Sequence, residues 1–102
     1  MRQLTLTDDD RQIYRTEIAP WLPARIFDAH THLLINRCHP QIAETLSFAE
    51  DDLLGNVDLP WLQHWWDVLL PGINVRGMVM GYPTPDVLMA EENLEVATQC
   101  AP

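Results

Sequence analysis

The segment 25–34, R-I-F-D-A-H-T-H-L-L, constrains the fold most strongly, because side chains with ligand atoms recur at every second position. In an extended strand, residues i, i+2 and i+4 share one face. We therefore predict a β-strand over about 25–34 with Asp28, His30 and His32 on one face. The opposite face is predicted to pack against a helix. It carries Phe27, Ala29, Thr31 and Leu33.

Two histidines at this spacing could bind one metal ion. The Cα atoms of His30 and His32 are predicted to lie about 6.6 Å apart, because each strand residue rises about 3.3 Å. Both rings can then reach one ion at the roughly 2.0–2.1 Å typical of zinc–nitrogen bonds. Two half-buried histidines that bind nothing are the alternative for a motif this short.

Length and charge restrict the class of protein. The 102 residues predict one small domain. The net charge of −9, with six arginines and no lysine, argues against binding to nucleic acid or to an anionic membrane surface. Cys38 and Cys100 form no C-x-x-C motif, and the chain start has no secretory signal. We therefore expect a cytoplasmic protein with free thiols.

Two helices and a second strand are predicted near the ends of the chain and after its middle. A leader helix is expected over about 7–20, because Thr7 can cap it, three aspartates follow and Pro20 ends it. A second strand over about 75–82 is apolar on both faces, as in a buried parallel sheet. A last helix is expected over about 91–100.

A helical insertion is predicted over about 47–70, with a first short helix near 48–54. Its second helix begins after Asp58 and contains Trp61, Trp65 and Trp66. At helical spacing these rings favour the core or a subunit interface over a stacking platform for a ligand. A homo-oligomer is therefore one expectation. Strands that alternate with helices predict an α/β fold with a parallel sheet.

Together with its flanks, the segment L-P-A-R-I-F-D-A-H-T-H-L resembles the first strand of the amidohydrolase superfamily, in particular its amidohydrolase-related (amidohydrolase-2) branch. The later segments L-L-P-G-I-N-V-R-G-M-V-M-G-Y-P and E-E-N-L-E-V-A are similar to the family's second strand and following helix. The resemblance implies a TIM-type (β/α)8 barrel. Such a barrel needs about 250 residues, so residues 1–102 are predicted to form a single partial domain with two of its strands.

The resemblance also implies roles for three residues. His30 and His32 match two ligands of a catalytic divalent metal, usually Zn²⁺ and sometimes Mn²⁺. Asp28 matches the acidic residue that begins the motif, and we expect it to orient its neighbours rather than to bind the ion. The family's remaining ligands and its general base lie on later strands, which this sequence does not contain.

The implied reaction is hydrolysis of an amide, ester or lactone by metal-activated water, or a related decarboxylation of a carboxylic acid. The substrate is expected to be a small anionic molecule, and Arg37, in the loop after the first strand, is predicted to bind its carboxylate. The alternative for Arg37 is a solvated loop residue. A second hypothesis is a truncated or structural module without catalysis, which keeps the motif but lacks the remaining ligands.

Other side chains have weaker predictions. His39 is either a proton carrier or a turn residue before Pro40, and His64 is expected at the surface or in packing. Tyr82 and Thr84 follow the second strand and are further candidates to line the site. Cys38 is either a ligand for a soft metal or a lone buried thiol, and the buried thiol is the commoner case.

Overall fold

Helices and strands alternate along the described part of the chain. The structure is a computed structural model, and it describes residues 5–42 and 56–102. Within these residues the fold is a small mixed α/β domain with two parallel strands and three α-helices. This confirms the predicted α/β class with a parallel sheet. The elements are α1 (Asp8–Ile13), β1 (Arg25–Leu33), α2 (Leu59–Leu69), β2 (Asn74–Gly81) and α3 (Met89–Gln99).

The leader segment is helical from residue 8 to residue 21, close to the predicted range. Thr7 caps α1: its hydroxyl accepts from the Asp10 backbone N–H at 3.1 Å, and the Asp10 carboxylate accepts from the Thr7 N–H at 2.8 Å. The helix then widens into a π-helix and ends as a 3₁₀ turn. The Tyr14 hydroxyl donates to the Pro71 carbonyl at 3.0 Å, which fixes the leader against the segment after α2.

The two strands pair in parallel from Arg25 opposite Asn74 to Leu33 opposite Gly81. Both later helices cover one face of this sheet, and two glycines show where they approach. A Cβ atom on Gly77 would lie 2.9 Å from the Trp66 ring of α2. A Cβ atom on Gly81 would overlap the carboxylate of Glu92 on α3.

The core lies between the sheet and these helices. One buried cluster contains Leu33, Ile35 and Cys38, and residues of β2, α2 and α3 pack against it: Leu59, Leu62, Val79 and Val96. A second cluster forms where Leu34 pairs with Val57. Burying Leu33 completely contributes about 1.5–3 kcal/mol.

The other face of the sheet is open within the described part of the chain. Phe27 is 65 % exposed and Met78 is 52 % exposed. The prediction that β2 is buried on both faces is therefore wrong here, because both packed helices lie on the same side. The expected place of Phe27 against a helix is wrong for the same reason.

The tryptophans of α2 are half-buried, and none of residues 59–69 is fully buried. They contribute to packing against the sheet but do not form the centre of the core. The predicted helix near 48–54 lies outside the described residues. None of the helices in 5–42 and 56–102 has the length and apolar character that crossing a bilayer requires.

The two thiols are predicted to react at very different rates. Cys38 is buried and Cys100 is exposed, and burial raises the pKa of the Cys38 thiol. Iodoacetamide at about pH 8 should alkylate Cys100 and spare Cys38 in the native protein, because the thiolate is the nucleophile. Mass spectrometry measures both rates, with the urea-unfolded chain as the control. Equal rates in the native protein would contradict the described core.

Candidate metal centre

A bulge in β1 decides which side chains share a face. Asp28 pairs with Gly77 and Thr31 pairs with Val79. The step between these pairs is therefore three residues long in β1 but only two residues long in β2. Because Gly77 and Val79 lie on the helix-covered face, Asp28 and Thr31 lie there as well. His32 pairs with Met80 and therefore lies on the open face.

The prediction that Asp28 shares a face with His30 and His32 is thus wrong. The alternation of a strand has period two, so one inserted residue inverts it. The prediction that Leu33 packs against a helix is confirmed, since Leu59 and Leu62 of α2 pack against its cluster. Thr31 is buried on the same face.

Asp28 stabilises this bulge from within it. Its carboxylate oxygen Oδ1 accepts the backbone N–H of His30 at 3.0 Å, a bond that short Asp side chains commonly make two residues ahead. This N–H is the main reason that the pKa of Asp28 is lowered. The carboxylate therefore supports the backbone that carries His30, which fits the predicted orienting role.

The two imidazoles converge on the open face. The Nε2 atoms of His30 and His32 lie 2.9 Å apart. His32 Nδ1 lies 2.8 Å from the carbonyl oxygen of Gly81. A carbonyl only accepts, so Nδ1 of His32 carries a proton, and in the neutral ring Nε2 presents a lone pair. His30 Nε2 must then donate to it.

This arrangement fits two ligands of one ion. A hydrogen bond from the distant ring nitrogen to a backbone carbonyl is the usual support of a metal-binding histidine. Two tetrahedral zinc ligands have nitrogens about 3.3 Å apart, given bonds of about 2.0–2.1 Å, so a small separation of the rings would admit the ion. Across residues 5–42 and 56–102, no group of three or more His, Cys, Asp or Glu side chains could hold a metal. Within these residues the histidine pair therefore stays a candidate for two ligands of an ion, without a third side chain of this kind beside it.

Of two residues predicted to line the site, Tyr82 contacts the histidine pair, whereas Arg37 pairs with a residue of α3. The ring of Tyr82, just after β2, meets the His32 ring edge-on with centroids 5.4 Å apart, so Tyr82 borders the pair. The Arg37 guanidinium forms an ion pair with Glu95 of α3. Its role in binding a substrate carboxylate stays a prediction. His64 lies exposed on α2.

His39 begins a turn, as one of its two predictions requires, since its carbonyl accepts the Ile42 N–H at 3.2 Å. Its ring is nevertheless buried, and the role of proton carrier stays a prediction. His39 is 1 % exposed, its Nδ1 lies 2.6 Å from the Thr84 hydroxyl, and its Nε2 lies 2.6 Å from the carboxylate of Glu92. Glu92 is also 1 % exposed. The sequence gives no local signal for this contact, because 53 positions separate the two residues.

This buried network joins the segment after β1, the loop after β2 and helix α3. It lies on the face of the sheet opposite the histidine pair. Glu92 lies directly against Gly81, and the Gly81 carbonyl holds the His32 ring. The loops after β1 and β2 are joined beside it, since the Leu88 N–H donates to the Cys38 carbonyl at 2.8 Å. The position of the His32 ring therefore depends on how α3 packs against the end of β2.

Comparisons of the chain with protein-family models, with curated proteins and with solved structures found no match. We therefore infer function from the geometry of the site and from the sequence motif.

The Asp28 bond can be tested through the amide that it binds. Asp28→Ala should make the His30 amide exchange with solvent faster and lower the free energy of unfolding by about 1 kcal/mol, because the N–H loses its acceptor. Asp28→Asn keeps an acceptor oxygen and should stay closer to wild type. Asp67→Ala, at an exposed position of α2, is the control. Unchanged exchange of His30 in Asp28→Ala would contradict the described bulge.

The buried network should contribute much more to stability. Glu92→Ala removes the acceptor of a buried imidazole and leaves a cavity, which should cost about 3–5 kcal/mol, enough to unfold a domain of this size. Glu91→Ala, one residue earlier and exposed, should change stability by less than about 0.5 kcal/mol. Glu92→Gln should fall between them. Urea unfolding followed by circular dichroism measures all three, and equal effects of the two alanine variants would refute the network.

Proposed function

We propose that this chain provides the first metal-binding strand of a metal-dependent hydrolase or decarboxylase of the amidohydrolase type. The observation that carries the proposal is the convergence of the His30 and His32 Nε2 atoms at 2.9 Å, with His32 Nδ1 held by a backbone carbonyl. The ion is a divalent metal, with Zn²⁺ the first candidate and Mn²⁺ the second. The remaining ligands would come from strands outside this sequence.

The position of the pair in the sheet supports the proposal. Both histidines lie in the last four residues of β1, and enzymes with parallel β/α barrels place their sites at the carboxyl ends of the strands. The helices cover one face of the two-stranded sheet. The face that would line a barrel carries the histidines.

A bound Zn²⁺ would lower the pKa of its water to about 7 and polarise a substrate carbonyl. The residues of this chain contribute orientation. The Gly81 carbonyl fixes the tautomer of His32, Asp28 fixes the backbone of His30, and the Tyr82 ring restricts one side of the pair. Arg37 is the candidate for the carboxylate of a small anionic substrate, which would compete with Glu95 for the guanidinium.

Zinc binding tests the proposal directly. Equilibrium dialysis followed by elemental analysis should find one zinc per chain, bound weakly because two imidazoles are fewer than the three protein ligands of a catalytic site. His30→Ala or His32→Ala should lower the affinity by more than the roughly 10–100-fold that losing a supporting hydrogen bond costs.

His64→Ala is the matched control, because His64 is exposed as His30 is, and α2 carries no second histidine. It should bind zinc as the wild type does. If the three histidine variants retain equal zinc, the hydrolase proposal fails, and a structural module that merely keeps the motif becomes the better account.

A further inference from the structure

The open face of the sheet carries two methionines beside the two histidines. Val79 packs into the core on the helix side, and Gly77 and Gly81 face α2 and α3. Side chains alternate along a strand, so Met78 and Met80 lie on the opposite, open face. The open face therefore presents two imidazoles and two thioethers together.

The register brings these groups close. Met80 is the direct partner of His32 across the parallel pair, and neighbouring strands are about 4.8 Å apart. Met78 lies opposite the bulge that contains His30 and is 52 % exposed. Two of the rotatable bonds of a methionine place its sulfur, so we expect Sδ of Met80, directly opposite His32, to be able to turn toward the histidine pair.

The chemistry of this set differs from that of a zinc site. Zinc in proteins takes thiolate, imidazole and carboxylate ligands, so a thioether adds nothing for it. Thioethers are soft ligands that select Cu(I), and imidazole also suits copper. The third and fourth donors on this face are therefore of the kind that a soft monovalent ion requires.

We propose that the open face binds a soft monovalent ion of the Cu(I) class through Nε2 of His30, Nε2 of His32 and Sδ of Met80, with Sδ of Met78 as a fourth donor. The inference shares its two histidines with the proposed function, but it does not require the hydrolase assignment. It involves binding alone and no change of oxidation state.

Silver(I) is the probe, because it has the same soft character and is stable in air. The experiment uses the full chain with Cys100→Ser, since the exposed thiol of Cys100 would otherwise bind the ion first; Cys38 is buried and stays. The protein carries ¹³C-methyl methionine and is titrated with silver nitrate in chloride-free buffer. The methyl signals of Met78 and Met80 should shift together with the ring signals of His30 and His32, up to one equivalent.

Met89 provides an internal control. It is 55 % exposed, much like Met78, but it lies at the start of α3. Its methyl signal should stay in place while the other two move. If Met89 shifts as Met80 does, silver binds to exposed thioethers in general and the proposed site is wrong.

Met80→Leu conserves volume and removes the sulfur, so it should lower the silver affinity by at least about tenfold. Met89→Leu should leave it unchanged. The circular dichroism spectrum of Met80→Leu should equal that of wild type, which shows that the variant is folded.

The two proposals fail separately. If the protein binds zinc and Met80→Leu does not change the silver affinity, the soft-ion site is refuted and the hydrolase proposal is unaffected. Silver binding that depends on Met80, without zinc binding, supports the soft site and refutes the divalent one.

Discussion

The register between β1 and β2 is the constraint on which the candidate site depends. With the bulge between Asp28 and Thr31, His30 and His32 lie on the open face and Leu33 lies in the core. Without the bulge, the side chains on one side of it would point to the opposite face of the sheet, because a shift by one residue exchanges the faces of a strand. The bond from the His30 N–H to Asp28 stabilises the irregular backbone locally. A carboxylate that resembles a metal ligand in the sequence thus acts on the backbone.

Contacts on the helix-covered face determine the position of the His32 ring on the open face. Gly81 has no side chain because the carboxylate of Glu92 occupies that space, and its carbonyl sets the tautomer of His32. Glu92 in turn requires His39, since a buried carboxylate without hydrogen bonds is costly. The candidate metal centre and the buried network are therefore joined through one glycine, although they lie on opposite faces of the sheet.

The open face carries donor groups that suit two kinds of metal ion. The imidazoles suit zinc and copper alike, so the histidine pair alone does not choose between them. The choice depends on what else the face supplies. Oxygen or nitrogen ligands from further strands would favour a divalent ion, whereas the methionines of β2 favour a soft one. The net charge of −9 favours cations of either kind by attraction.

The sequence by itself determined the local elements, because capping, proline positions and apolar periodicity act within a few residues. The Thr7 cap, β1, β2 and the helix containing Trp61 all lie close to their predicted places, and the alternation at His30 and His32 predicted a shared face for that pair. The tertiary structure decided the face of Asp28, the burial of His39 and the one-sided cover of β2. These depend on contacts between distant segments, such as Glu92 with His39 and Gly81, and on a single inserted residue that a period-two pattern does not reveal.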